Sequence, residues 1–253
     1  MPRIASKTPA DLAKMRRAGK VVAAALQLVR EEARPGLSTE ELDEMVEALI
    51  RERGAEPAFK GYRGFPASIC TSINEQVVHG IPGPRTLKDG DILSVDIGSI
   101  LDGFYGDAAV TVTIGNCSRE AKRLIDVTRE ALNAGLEVIR AGVRISEIGR
   151  TIQQTVREAG FDVVRKYTGH GIGSQMHEPP QIPNYAASWP SVSSPRLPAG
   201  ATVAIEPMVN AGSYKVKELK DGWTVVTQDG ELSAHFEHTV AVEERGPAIM
   251  TVL

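Results

Sequence analysis

Apolar residues recur at helical spacing in four stretches and at strand spacing between them. Leu12, Met15, Val22, Leu26 and Val29 form one stripe, opened by Thr8-Pro9-Ala10-Asp11, a cap followed by a first-turn proline and a closing acid. Ser38-Thr39-Glu40-Glu41 opens a second helix with Leu42, Met45, Val46, Leu49 and Ile50 on one face and Gly54 at its end. From about Ser68 to Gly115 short β-branched runs alternate with Gly and Asp. A third helix is predicted from about Ser118 to Ala141 and a fourth from about Ser146 to Ala159, closed by Gly160. The remainder, to about Glu243, again reads mostly as strands. Glu178 to Gly200 is the exception. It holds Pro179, Pro180, Pro183, Pro190, Pro195 and Pro198 and predicts a long surface loop.

The order helix-helix-strands therefore occurs twice, and the halves match at an offset of 106 residues. Arg34, Gly36, Glu41, Arg51, Glu52 and Gly54 are identical to Arg140, Gly142, Glu147, Arg157, Glu158 and Gly160, six positions in 21. Two unrelated amphipathic helix pairs would give one or two. The pattern predicts an α+β chain built by duplication. Residues 1–253 would be a single domain with halves of roughly 8–115 and 118–243, sharing one curved antiparallel sheet with helices outside. A site made by both halves would lie between them.

Composition narrows the function. With 253 residues the chain can bury a sizeable core. A net charge of −3 and 5% aromatic residues give no case for DNA or for a stacking platform on single strands. No uncharged apolar run nears the roughly 18 residues that span a bilayer, and the start has no secretory pattern. Cys70 and Cys117 are too few for a disulfide scaffold. A reducing cytoplasm is the expected location.

The chemistry starts at Asp91-Ile92-Leu93-Ser94-Val95-Asp96-Ile97-Gly98, which runs through Asp102-Gly103 into Phe104-Tyr105-Gly106-Asp107-Ala108-Ala109-Val110-Thr111-Val112. Asp-Gly between apolar runs predicts a two-residue hairpin turn. Asp96 then faces Ala109, Asp107 faces Gly98, and the two aspartates are diagonal neighbours on one face, roughly 7 Å apart. Val95, Ile97, Val110 and Val112 point the other way. A solvated sheet face would explain the pair. So would a metal site, since two ions in hydrolases sit roughly 3.5–4 Å apart and share carboxylates.

Other residues favour the metal. His170 and His177 lie in Gly169-His170-Gly171-Ile172-Gly173-Ser174-Gln175-Met176-His177, and His79 precedes Gly80. His235 and Glu237 would share one face of a strand, with His238 on the other. Glu206 interrupts the apolar run Val203 to Val209, where a lone carboxylate is unfavourable unless paired or metal-bound. Four clustered acids repel, and two divalent ions balance four charges. Oxygen-rich ligation with one imidazole suits Mn, Fe, Co or Zn. The chain has no HExxH, nucleophile elbow, P-loop or Rossmann fingerprint.

These residues resemble the type I methionine aminopeptidases of the pita-bread metallopeptidase fold, from about Thr8 to about Val242. The motifs are Ser72-Ile73-Asn74-Glu75 through His79-Gly80-Ile81-Pro82, Val95-Asp96-Ile97-Gly98, Tyr105-Gly106-Asp107, Gly169-His170-Gly171-Ile172-Gly173, Ile205-Glu206-Pro207 and Phe236-Glu237-His238-Thr239. The resemblance implies removal of an N-terminal methionine before a small second residue. It implies two divalent ions on Asp96, Asp107, His170, Glu206 and Glu237, with Asp107 and Glu237 bridging. Glu206 would also be the general base. His79 and His177 would bind the scissile amide and its oxyanion, with His79 a proton donor. A monovalent cation, Na or K, would sit near the carbonyls of Asn74, Gln76 and Ser233. The methionine pocket would come from Phe59, Tyr62, Phe65, Cys70, Met176 and Trp223.

Three positions depart from the family's common pattern. Phe59 is bulkier, Met176 replaces an aromatic, and His235 replaces a glutamine, which puts pocket shape and metal tuning at issue. The resemblance further implies a short bacterial-type enzyme, a monomer acting on nascent chains. The basic start (Arg3, Lys7, Lys14, Arg16, Arg17 and Lys20) is either a solvated helix face or a transient ribosome contact. The chain's own Met1-Pro2 start would be a substrate. Competing readings are an X-Pro peptidase or creatinase-like relative, which usually carries an extra N-terminal domain, and a non-catalytic scaffold of the same fold.

Overall fold

The computed structural model describes residues 4–187 and 194–253; Met1, Pro2, Arg3 and Pro190 lie outside it. Both N-terminal capping boxes form. Thr8 and Asp11 cap α1 (Pro9–Glu32), and Ser38 and Glu41 cap α2 (Thr39–Glu52). The other helices are α3 (Arg119–Glu137) and α4 (Ile145–Glu158). The strands are β1 (Glu56–Pro57), β2 (Ile69–Ile73), β3 (Gln76–Val78), β4 (Ile92–Leu101), β5 (Phe104–Thr113), β6 (Asp162–Val163), β7 (Gly169–Gly171), β8 (Glu178–Ile182), β9 (Thr202–Ile205), β10 (Met208–Asn210), β11 (Val216–Glu218), β12 (Val225–Thr227), β13 (Ser233–His235), β14 (His238–Val242) and β15 (Pro247–Ile249). Among the described residues no helix is long and apolar enough to cross a membrane.

The sheet falls into four hydrogen-bonded groups. β4 pairs with β1, β2 and β5; β10 pairs with β13 and β6; β12 pairs with β11 and β3; and β15-β14-β9-β7-β8 form a five-stranded group. Backbone bonds join the groups. Glu237 N–H donates to Ala109 O at 3.0 Å, and Ser233 N–H donates to Asn74 O at 2.9 Å. Val22, Leu26, Leu42, Val46, Leu124, Ile148 and Ile152 share one core with Val95, Ile97 and Val110 from the hairpin's outer face.

The second half repeats backbone bonds of the first. Gly36 N–H donates to Leu87 O and Leu87 N–H to Leu37 O, at 2.9 and 2.8 Å; Gly142, Leu197 and Val143 repeat this at 2.8 and 3.0 Å. Gly90, Ile114 and Asp91 likewise form a pair of bonds that Gly200, Val242 and Ala201 form again.

Three expectations need correction. The third helix stops at Glu137, because Ala141 N–H pairs with Glu243 O and Gly142 N–H with Leu197 O, which draws this segment to the sheet. The Pro-rich stretch opens as strand β8, not loop. β8 is an edge strand, where a missing N–H can face away from the ladder. Positions 188–193 of that stretch lie outside the described residues. Finally, the chain from His235 to His238 is not one strand. It breaks at Phe236-Glu237, where it leaves β10 for β9 and β5.

The hairpin is pinned to α1 by close backbone approach. Ser99 Oγ donates to Ala18 O at 3.0 Å. A Cβ on Gly106 would lie 2.8 Å from Gly19 N and 2.9 Å from Ala18 C. Backbone does not yield as a flexible side chain does. Gly106→Ala is therefore expected to destabilise the fold by about 2 kcal/mol, read from the urea midpoint at constant slope.

Candidate metal centre

The Asp102-Gly103 turn has φ of 53° and 76°, the two positive angles of a tight hairpin turn. It sets the register that the sequence predicts. Asp96 faces Ala109 and Gly98 faces Asp107. Both aspartates project from the face opposite the helices. The second half brings three more donors. His170 sits on β7 opposite Ala204 of β9. Glu206 follows β9 directly, its backbone O held by Asn184 Nδ2 at 3.0 Å. Glu237 sits at the chain break, bonded through its backbone to Ala109 on β5.

All five side chains line one cavity of about 370 Å³. His170 Nε2 lies 3.5 Å from Glu206 Oε1 and 3.9 Å from Asp107 Oδ2. Donor atoms of Asp107, His170 and Glu237 all fall within 4.8 Å of one another. His170 Nδ1 is 2.8 Å from the Gly171 carbonyl, which can only accept, so this nitrogen carries the proton and Nε2 offers its lone pair to the acids. Thr239 Oγ1 donates to Asp107 O at 2.7 Å and accepts from Asp107 N at 3.1 Å, holding that strand in place.

The electrostatics are those of a cation-binding donor set. Burial pushes the Asp96 carboxyl up to about 7. Burial, then the Asp96 charge, lifts Asp107 and Glu206 well above the carboxylate range. Burial, then Asp107, does the same to Glu237. Asp96 Oδ1, Asp107 Oδ1 and Glu237 Oε1 are buried without a hydrogen-bond partner. Buried polar atoms are normally satisfied. Orphaned carboxylate oxygens converging on an imidazole nitrogen fit a divalent cation.

This has a consequence for stability. With metal stripped, the fold keeps protons on these carboxyls that the unfolded chain, with values near 3.8 and 4.5, has lost. Stability then falls as pH rises through the folded values. The buried histidines act in the opposite sense. Burial holds His79, His170 and His238 at about 4 and His235 at about 3, so they weaken the fold only as pH drops below 6.5. Above pH 6.5 the carboxyls act alone. The chelator-treated protein is expected to lose about 1.4 kcal/mol per pH unit for each carboxyl still protonated. Denaturant melts at pH 6.5 and 8.5 check this, and divalent metal should remove the difference.

The cavity walls hold the six expected pocket residues. Phe59, Tyr62, Phe65, Cys70, Met176 and Trp223 all line it. Phe65 meets Trp223 edge-on at 5.1 Å. A Cβ on Gly98 would lie 2.6 Å from the Phe59 ring, so the glycine makes room for that bulky wall. Burial, then the Asp96 charge, pushes the Cys70 thiol well up, so it is a packed wall and not a nucleophile. His177 Nδ1 is 2.9 Å from Tyr62 Oη, and its ring lies 4.2 Å from that of His170. His79, at φ 59°, meets Tyr167 edge-on at 5.6 Å. His235 also lines the cavity, 3.9 Å from Glu237, with Nε2 unpartnered. His238 turns away, to Thr251 at 2.8 Å.

Asn74, Gln76 and Ser233 come together at one seam. Asn74 has φ 56° and accepts Ser233 N–H on its carbonyl, while the Gln76 side chain accepts Ile73 N–H at 2.8 Å. Sequence reasoning missed Tyr167, Thr168, Gln181 and Met208 in the wall. Tyr167 and Thr168 come from the loop before β7, Gln181 from β8 and Met208 from β10, and only adjacency to His170 could have suggested the first two.

The sequence profile of metallopeptidase family M24 matches residues 13–244. Methionine aminopeptidase 1 of Bacillus subtilis (strain 168) is 52% identical over 248 residues, 98% of this chain and 99% of that protein. The crystal structure of a methionine aminopeptidase from Thermotoga maritima superposes with a TM-score of 0.95 at 45% identity, over 100% of both chains. The prolidase from Pyrococcus furiosus shares the fold alone, with a TM-score of 0.78 at 22% identity over 99% of this chain and 66% of its own. The architecture is the pita-bread fold, with mixed helices and antiparallel sheets around a site suited to divalent metal. On the profile match and the full-length identity, this chain is a member of metallopeptidase family M24.

Proposed function

We propose that this chain is a methionine aminopeptidase that removes an N-terminal methionine when the second residue is small. The observation that carries the reading is a cluster of orphaned carboxylates at the base of a cavity walled by aromatic rings and sulfur. An apolar slot of that kind suits a flexible thioether. Asp96, Asp107, His170, Glu206 and Glu237 would hold two divalent ions between them. Ions held there would supply a water acidified towards neutral pH.

The chain's own groups do the rest. Glu206 accepts the proton of the attacking water. His79 and His177 are held neutral, the first by burial to about 4 and the second below its ordinary value, so each offers one N–H to the scissile amide and its developing oxyanion. Tyr62 orients the His177 ring. A Na or K ion near Asn74, Gln76 and Ser233 would brace the seam below. Residues 1–253 would be one catalytic domain, duplicated as 8–115 and 118–243; the recurring backbone bonds support this. The protein would work in the cytoplasm as a monomer on nascent chains, with the basic face of α1 open to a transient ribosome contact.

Methionine release from a Met-Ala-Ser peptide by metal-stripped protein, titrated with Co²⁺ and Mn²⁺, tests the reading. Metal-dependent release is expected. Cleavage confined to an X-Pro peptide run in parallel would replace it with the prolidase-like activity.

A further inference from the structure

Before α1 begins, the N-terminal arm is bonded to the residues that lead into β9. Ser6 pairs with Ala201, Ser6 Oγ donates to Ala199 O at 2.8 Å, and Lys7 N–H donates to Gly200 O at 2.8 Å. From this anchored position Lys7 Nζ reaches Glu178 Oε2 at 2.6 Å, with the two side chains only 9% and 14% exposed. It is the least exposed Lys or Arg ion pair among the described residues.

The pair sits inside the turn that carries Met176 and His177. Glu178 Oε1 accepts Gln175 N–H at 3.3 Å, and Gly173 N–H donates to Gln175 O at 3.1 Å. Gly173 O in turn accepts Tyr105 N–H from β5 at 2.9 Å. A Cβ on Gly173 would lie 2.3 Å from Lys7 Cε and 2.5 Å from Glu178 Oε1, so the backbone closes directly over the ion pair. On the cavity side of the same turn, Met176 is 3% exposed and His177 meets Tyr62.

We infer that the Lys7–Glu178 ion pair is a clamp by which the N-terminal arm positions His177 over the metal centre. Lys7 is a positioning residue; it touches neither substrate nor ligands. Removing Lys7 leaves the largely covered Glu178 carboxylate without its cation and with only the Gln175 N–H on it, so the turn is expected to shift towards water. The inference rests on the role proposed for His177.

The test combines Lys7→Met, Lys7→Arg, His177→Ala and the double variant Lys7→Met/His177→Ala. Lys7→Met is expected to lower kcat/KM roughly 10- to 100-fold by misplacing the imidazole, with Lys7→Arg restoring most of it. In the His177→Ala background the same change should matter less than about 2-fold, since the two act as a unit. Metal affinity by calorimetry should not move. In histidine-labelled protein, Lys7→Met should shift or broaden the His177 ring signals and spare those of His238. Unmoved His177 signals, or an equal loss in both backgrounds, would overturn the clamp. If the wild-type chain releases no methionine, the proposed function fails, and the ring signals alone decide the clamp.

Discussion

Asp107→Ala or Glu237→Ala is expected to abolish metal-dependent methionine release and, in metal-free protein at pH 8, to raise stability. The pairing of outcomes is what marks a ligand. Each side chain is buried among other acids, with one oxygen unpartnered, and its carboxyl is lifted well above its ordinary range. Without a cation it weakens the fold, so its removal relieves repulsion that the remaining carboxylates feel. With a cation bound it would be one of the proposed ligands, and its removal would leave the donor set incomplete. Calorimetric titration should show weakened or lost binding, and denaturant melts in chelator should show a higher midpoint than wild type. A residue held for packing alone would destabilise the fold under both conditions.

His79→Ala and His177→Ala are expected to lower kcat by about 10²- to 10⁴-fold, the range for a lost proton-transfer or oxyanion group. Metal affinity should stay near wild type in both. The geometry explains the separation. Neither ring belongs to the cluster formed by Asp107, His170 and Glu237, and the His177 ring is held by Tyr62 at 2.9 Å. Peptide turnover and metal titration on the same preparations distinguish these histidines from His170, whose replacement should affect both.

Much of this was legible because the signals are local. Asp102-Gly103 dictates a turn, the turn dictates register, and register puts Asp96 and Asp107 on one face. Capping boxes mark the starts of α1 and α2 for the same reason. What failed were boundaries set by distant partners. The end of the third helix depends on Leu197 and Glu243, and the break at Phe236-Glu237 depends on β5 and β9. Pro179 and Pro180 suggested a loop because sequence does not reveal that β8 is an edge. The pocket residues came only from resemblance. Phe59, Cys70, Met176 and Trp223 have no common spacing, and each would pass as core packing. The Lys7–Glu178 pair joins residues 171 apart, beyond the reach of any pattern in the chain.

The proposed ligands are divided between two halves that meet at the Ala109–Glu237 seam. A growing polypeptide exposes Asp96 and Asp107 first and Glu237 last, and domains fold as units as they emerge. A chain that stops short of Glu237 would lack one of the proposed ligands, and one whose halves have not docked would keep its donors apart. If these residues hold the ions, tight uptake would require a chain that runs through the last ligand and whose halves have docked. On the proposed ligand set, a divalent ion retained through desalting would mark the molecules whose two halves have closed.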